Sequence, residues 1–219
     1  SYPANPVCSV ADDSFYEKAI AFAKKYNVIL LHDNAYSDII FGGKEGKSFL
    51  SYPGAMEVGI EFYSLSKSYN MTGMRISFAL GNKDVIQMFR KVRSQIDYGI
   101  FLPIQKAAVA ALTGPQDNVK EQCRIYEERN YALCRGMSSI GWKIPDGQGT
   151  MFVWAPIPEN YTSSERFTLD LMEKTGMIVT PGTAFGDLGE GYVRIALVHP
   201  VETIEKVVRI VKESGILEP

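Results

Sequence analysis

Ser64-Leu-Ser-Lys-Ser-Tyr-Asn-Met-Thr-Gly-Met-Arg75 is the stretch on which the fold and the chemistry both turn. An apolar run, Ile60 to Tyr63, precedes it and a second, Ile76 to Leu80, follows it. Both runs have the length and bounding residues of strands. Lys67 is therefore expected on a turn at a strand's end, among the hydroxyls of Ser64, Ser66 and Ser68, with Arg75 a little further on.

A lysine in that position is partly withdrawn from water and near a cation, and both conditions free its amine as a nucleophile toward carbonyls. Ser64, Ser66 and Arg75 supply what a phosphate needs, hydroxyl donors and a planar, permanently charged fork. An amine beside a phosphate cradle meets the two demands of pyridoxal phosphate, an aldehyde with a phosphorylated tail. By itself the Ser-x-Ser-Lys pattern is equally well a solvated surface turn, so the rest of the chain has to decide.

Working outward toward the start, Asn5-Pro6 is a turn, and a helix follows with Ser14 and Glu17 placed as a capping box. Its apolar residues are Phe15, Ala19, Phe22 and Ala23, and Asn27 is its stop. Val28 to Leu31 has the continuous apolar character of a strand buried on both faces. Asp33 and Tyr36 come just after it, at the edge where open α/β sheets hold their ligands. A glycine-rich loop runs from Phe41 to Gly59.

Toward the other end, helices are expected over Lys83 to Arg93 and from Pro103 to Leu112, with a break at Thr113-Gly114-Pro115. A long amphipathic helix begins near Asn118 and carries Val119, Cys123, Tyr126, Leu133 and Met137, with one turn skipped. Strands are expected around Trp142 to Ile144, Met151 to Trp154, Met177 to Thr180 and Tyr192 to Val198, the last with Arg194 on it. Helices over Arg166 to Lys174 and Val201 to Ser214 complete the chain, the latter with Ile204, Val207, Val208 and Val211 inward. The expected organisation is α/β over residues 1–115 and a smaller α+β domain over 116–219.

Composition narrows the functions. The 219 residues carry 23 Lys and Arg against 25 Asp and Glu, a net charge of −2, which gives no basic footprint for nucleic acid or an anionic membrane. No apolar run has the length of a transmembrane helix. The chain opens at Ser1 with no signal-peptide pattern. Cys123 and Cys134 share one expected helix about 16 Å apart, too far to bridge. With Cys8 as the third cysteine there is no disulfide framework, which points to a cytoplasmic home. His32 and His199, the two histidines, show no metal-ligand spacing.

Taken together, Asn5-Pro6, Asp33 with Tyr36, Ser64-x-Ser-Lys67 with Arg75, and a late-strand Arg194 resemble the pattern of fold type I, pyridoxal-phosphate-dependent aminotransferases of classes I and II. Within these the chain looks most like the bacterial aspartate and LL-diaminopimelate aminotransferases. The resemblance covers essentially the whole chain. It implies that residues 1–115 are the C-terminal part of the cofactor-binding large domain, a mostly parallel sheet with helices, and that 116–219 are the small domain.

The resemblance also implies roles. Lys67 matches the lysine that forms the internal aldimine and later shuttles the substrate's proton. Asp33 matches the buried carboxylate facing the pyridine nitrogen. Tyr36 and Asn5 match donors to the ring's phenolic oxygen, and Asn5 also borders the substrate. Ser64, Ser66 and Arg75 match part of the phosphate cradle, and Arg194 matches the clamp on the substrate's α-carboxylate. Gly182 falls in the family's Pro-Gly-x-x-Phe-Gly segment at the substrate mouth. The implied reaction moves an amino group between an L-amino acid and a 2-oxo acid in an amino-acid biosynthetic setting, and the implied full-length state is a homodimer. A carbon–sulfur β-lyase on the same machinery, or a non-catalytic effector-sensing domain of a transcription regulator, would share these residues.

Two substitutions and one gap depart from the family pattern. Asn-Pro-Thr-Gly is usual where this chain has Asn5-Pro6-Val7-Cys8, which puts the turn and the placing of Asn5 in question. Met74 stands where tryptophan is common. The front part of the family's fold has no counterpart here, so the chain is expected to be the C-terminal part of a longer enzyme.

Overall fold

The computed structural model of the chain describes residues 1–218. The chain divides into two compact units, one of residues 1–3 and 10–123, the other of residues 4–9 and those from 124 onward.

The first unit opens with helix α1 (Asp13–Tyr26). Its cap is Asp12 rather than Ser14: the Asp12 carboxylate accepts from the Phe15 amide at 2.8 Å and from Ser14 Oγ at 2.9 Å. Asn27 ends the helix at φ 51°, a left-handed geometry that asparagine tolerates well. The buried face also differs from the expectation. Tyr16, Ile20 and Ala23 go inward, while Phe15 and Phe22 are exposed. Two stripes with helical spacing share Ala23, and periodicity cannot choose between them. Partners choose: Tyr16 stacks on Tyr52 with ring centroids 5.0 Å apart and reaches His32, inside a cluster with Ile20, Phe49, Ala55 and Val58.

Strand β1 (Leu30–Asn34) follows, then the short helix α2 (Ala55–Val58), strand β2 (Gly59–Ser64), the one-turn helix α3 (Leu65–Ser68) and strand β3 (Ser77–Gly81). The sheet order is β1-β2-β3, with β1 parallel and β3 antiparallel to β2. The strand expected at Val28 to Leu31 therefore begins two residues later, opposite Gly59, and is not buried on both faces. Val28, Ile29 and Leu31 are exposed; the buried positions are His32 and Asn34. Asp33 lies on the strand itself, on the same face as Leu31.

Those two polar residues are buried because β2 supplies a partner. Glu61 is 4% exposed. Its carboxylate lies 2.9 Å from His32 Nδ1 and accepts from Ser48 Oγ at 2.9 Å and from the Phe49 amide at 2.7 Å. Tyr16 Oη stands 3.4 Å from His32 Nε2. One buried carboxylate thus fastens β1, β2 and the loop before α2. Helices α4 (Lys83–Arg93), α5 (Leu102–Thr113) and the start of α6 (Asp117–Ser139) complete the unit.

In the second unit the rest of α6 buries Tyr126, Asn130, Leu133, Cys134 and Met137. Asn130 fills the turn that the apolar spacing skips, and its side-chain oxygen accepts from the Gly147 amide at 3.1 Å. Strands β4 (Phe152–Pro156), β5 (Thr180–Pro181) and β6 (Tyr192–Ala196) form an antiparallel sheet in the order β4-β6-β5, flanked by α7 (Ser164–Thr175) and α8 (Val201–Glu213). Trp142 to Ile144 is not a strand. Trp142 is buried edge-on against Phe167 and donates to the Pro156 carbonyl at 2.7 Å, and the Ile144 amide bonds Ser138 Oγ at 3.1 Å. Side-chain burial and the end of α6 hold this segment, not a ladder. The strand expected from Met177 is confined to Thr180 and Pro181. Gly182 and Gly189 pass so closely that a Cβ on Gly182 would stand 1.9 Å from the Gly189 carbonyl oxygen.

Burial pushes the Glu61 carboxyl up, but the bonds from His32, Ser48, the Phe49 amide and Asn34 outweigh it and hold the group below its ordinary value of 4.5. A carboxyl lowered by folding adds stability above its unfolded pKa and loses it as the pH falls through the folded one. Glu61→Gln is expected to cost about 1.5–3 kcal/mol at neutral pH. In urea unfolding the gap to wild type should close as the pH is taken below 4.5; a gap that does not change with pH would show that charge is not what Glu61 contributes.

Candidate active site

A cleft of roughly 360 Å³ opens at the carboxyl end of β1 and β2. Asp33, Ala35, Phe62, Tyr63, Ser64, Ser66, Lys67, Thr72, Arg75 and Ser77 line it. Parallel pairing makes this cleft: it sets Asp33 opposite Phe62 and Asn34 opposite Tyr63, so both strands end together and the Lys67 turn rises beside Asp33. Five residues singled out in the sequence, Asp33, Ser64, Ser66, Lys67 and Arg75, thus meet in one place.

The Lys67 turn begins with a cap. Ser64 Oγ accepts from the Ser66 amide at 3.2 Å. Leu65 and Ser68 point inward, whereas Ser66 and Lys67 are half-buried on the cleft side. Thr72 Oγ1 donates to the Ser66 carbonyl at 2.9 Å and Arg75 Nη1 to the Thr72 carbonyl at 3.1 Å. Arg75 has φ 53°, a left-handed backbone that a side chain adopts only when its surroundings require it. The arrangement offers an amine, hydroxyls and a guanidinium around one space, which suits a phosphorylated carbonyl compound.

Asp33 is exposed at this cleft, on the outer face of β1, where the resemblance implies a buried carboxylate. Tyr36 is 7% exposed and is not among the lining residues. Tyr63, Thr72 and Ser77 line the cleft without having been singled out. Thr72 lies inside the quoted stretch and its hydroxyl was a usable signal. Ser77 enters because the antiparallel register sets it opposite Ser64, which no local pattern encodes.

Asn5 and Arg194 belong to the second unit. Arg194 is held on β6 between Trp154 of β4 and Thr180 of β5. Its guanidinium lies over the rings of Phe152 and Phe185, at 4.3 and 4.7 Å from their centroids, and Nη1 donates to Asn5 Oδ1 at 2.9 Å. Contacts with two rings and with Asn5 limit where the fork can move, and the fork suits bidentate binding of a carboxylate. Cys8, at the usual glycine position, takes the left-handed backbone itself, with φ 61°. Its thiol meets Thr150 Oγ1 at 3.2 Å and the Phe152 carbonyl at 3.3 Å, so the turn carrying Asn5 closes without glycine. Met74 is exposed.

A profile of the family described as aminotransferase class I and II matches residues 1–211. The LL-diaminopimelate aminotransferase of Halothermothrix orenii is 45% identical over 216 residues, covering 99% of this chain and 55% of its own. That of Moorella thermoacetica is 46% identical over 208 residues, 95% of this chain and 53% of its own. Among solved structures, the probable N-succinyldiaminopimelate aminotransferase from Thermus thermophilus superimposes with a TM-score of 0.91 at 36% identity, over 97% of this chain and 57% of that one. An aminotransferase from Staphylococcus aureus does so with a TM-score of 0.92 at 33% identity, over 99% and 57%. The chain spans about half the length of the curated relatives it matches.

The cap gives a direct test of the turn. Ser64→Ala removes the oxygen that holds the Ser66 amide and is expected to cost about 1 kcal/mol in urea unfolding. Ser64→Asp, which keeps an acceptor, should recover most of it, and equal losses in both variants would mean that the cap does not hold the turn.

Proposed function

The chain belongs to the class I and II aminotransferase family, and from that premise we propose that its first unit holds pyridoxal phosphate at Lys67 for transamination between an L-amino acid and a 2-oxo acid. The observation that carries this reading is the convergence of Lys67, Ser64, Ser66, Arg75 and Asp33 on one cleft. The donor set fits the cofactor: an amine for its aldehyde, hydroxyls and a guanidinium for its phosphate, and a carboxylate for its ring nitrogen. When bound, the cofactor supplies a conjugated ring that takes up the electrons left when a proton leaves the substrate's α-carbon.

The chain's own groups do the rest. Arg75 and the hydroxyls of Ser64 and Ser66 anchor the phosphate. Asp33 holds a proton on the ring nitrogen by its charge. Lys67 would take the proton that leaves the substrate's α-carbon and return it, as a general acid and base. By the family resemblance Tyr36 and Asn5 would donate to the ring oxygen, although neither is among the residues that line the cleft. Arg194, in contact with Phe152, Phe185 and Asn5, would grip the substrate's α-carboxylate through its fork. Residues 1–115 and 116–219 serve in this reading as large-domain and small-domain portions, and the full-length enzyme is a cytoplasmic homodimer. Among the described residues no helix is long and apolar enough to cross a membrane. The names of the relatives make LL-diaminopimelate the first amino donor to try.

Borohydride reduction of the purified protein with pyridoxal phosphate, followed by peptide mapping, is expected to place the label on Lys67, and Lys67→Ala should abolish it. With amino donor and 2-oxo acid, formation of the donor's keto acid is expected. Release of pyruvate and ammonia would replace transamination by β-lyase chemistry. Scattered labelling of surface lysines would remove the reading altogether. Arg194→Lys keeps the charge and loses the fork, and should lower kcat/KM for the amino acid about tenfold or more while leaving the Lys67 label unchanged.

A further inference from the structure

The Lys67 turn is too short to fix its own orientation. Helix α3 has four residues, and the Tyr69 amide closes it on the Leu65 carbonyl at 3.2 Å. A single helical turn is unstable in isolation, because nucleation orders several residues for one hydrogen bond. Something outside must hold it if Lys67 is to face the cleft.

Asp38 does so. One oxygen of its carboxylate, Oδ2, accepts from Ser68 Oγ at 2.5 Å and from Tyr63 Oη at 2.7 Å. Tyr63 lies on β2, just ahead of the turn, and Ser68 is the turn's last residue, 3% exposed. A single anion therefore bridges the strand that enters the turn and the end of the turn itself. Neighbouring residues on a helix project about 100° apart. Fixing Ser68 inward consequently sets the direction of Lys67. Charge-assisted bonds are short and about twice as strong as neutral ones, and both of these donors are neutral hydroxyls on a charged acceptor. Burial and the bond to Asp38 also push the Tyr63 phenol well above its ordinary pKa, so it remains a donor throughout the neutral range. Asp38 follows Asp33 by five residues, so the segment that carries the carboxylate at the cleft is tied to the turn that carries the amine.

We propose that Asp38 is the positioning residue for Lys67, orienting the amine toward the cleft through Ser68 and Tyr63. The proposal rests on the cofactor reading above. It is tested by the rate at which pyridoxal phosphate attaches to Lys67 of the purified protein, followed by absorbance and by the reduced label, with urea midpoints measured in parallel. Asp38→Ala is expected to slow attachment about ten- to a hundredfold, as misplacement of a reacting group by an ångström does. Ser68→Ala, which removes one bond and no charge, should slow it less and answers for Asp38→Ala if that variant does not fold. Asp38→Asn keeps an acceptor and should recover part of the rate. In turnover, kcat should fall more than KM rises, because Asp38 touches no substrate. Attachment at the wild-type rate in Asp38→Ala or in Ser68→Ala overturns the proposal, as does a loss in Asp38→Asn equal to that in Asp38→Ala. If wild-type Lys67 takes no label, the cofactor reading falls and this proposal with it, and the wild-type control tells that failure from the other.

Discussion

Parallel pairing of β1 with β2 is the constraint on which the rest of the first unit depends. Antiparallel strands would put their carboxyl ends at opposite edges and separate Asp33 from Lys67. With the observed register, Leu30 opposite Gly59 through Asn34 opposite Tyr63, the two chains leave the sheet together and open a cleft between them. The register is held from below by Glu61. Its oxygens take donors from β1 and from the loop before α2, so a slip by one residue would carry a charged group to the wrong face and break several bonds at once. Specification of the cleft therefore begins with a buried polar contact on the opposite face of the sheet.

The legible part of the sequence was the part in which local chemistry and fold agree. Lys67, Ser64, Ser66 and Arg75 fall within one short stretch, and strand character on both sides fixes their place. Helix α4 stands over Lys83–Arg93, where it was expected, and the structure adds its cap, Asn82. Asp33 was expected just past the strand's carboxyl end and lies on the strand itself, still at the edge where the cleft opens. Period counting went astray where polar residues are inside. Tyr16 displaced Phe15 from the core of α1, His32 and Asn34 are buried in β1 beyond the apolar run, and Asn130 filled the gap in the α6 stripe. Each is buried beside a partner far away in sequence, and a window along the chain cannot see that partner.

The second unit shows how a motif can change letters and keep its geometry. Glycine is common at position 8 in the family pattern, and in this chain the backbone there is left-handed. Cysteine tolerates the same φ at a cost of order 1 kcal/mol, offset by full burial and the contacts of its thiol with Thr150 and the Phe152 carbonyl. The Asn5 side chain then accepts from Arg194, whose guanidinium also lies against two aromatic rings. Gly182, by contrast, admits no substitute of this kind, because backbone oxygen rather than a movable side chain fills the space where a Cβ would go. The family pattern writes glycine at both positions, and only their surroundings tell which one can be replaced.

Polar residues hold the candidate site in place. Leu31 and Leu80 lie outward on the sheet that carries the cleft, while Glu61 beneath, Asp38 beside and the Ser64 cap at the entrance fix its shape. Apolar burial is non-directional and would tolerate sliding of the strands or rotation of a single helical turn. Hydrogen bonds to carboxylates do not, because each fixes a donor within a few tenths of an ångström and leaves a costly buried charge when it breaks. A site that must present an amine, a carboxylate and a phosphate cradle at once needs that directionality more than it needs extra apolar area.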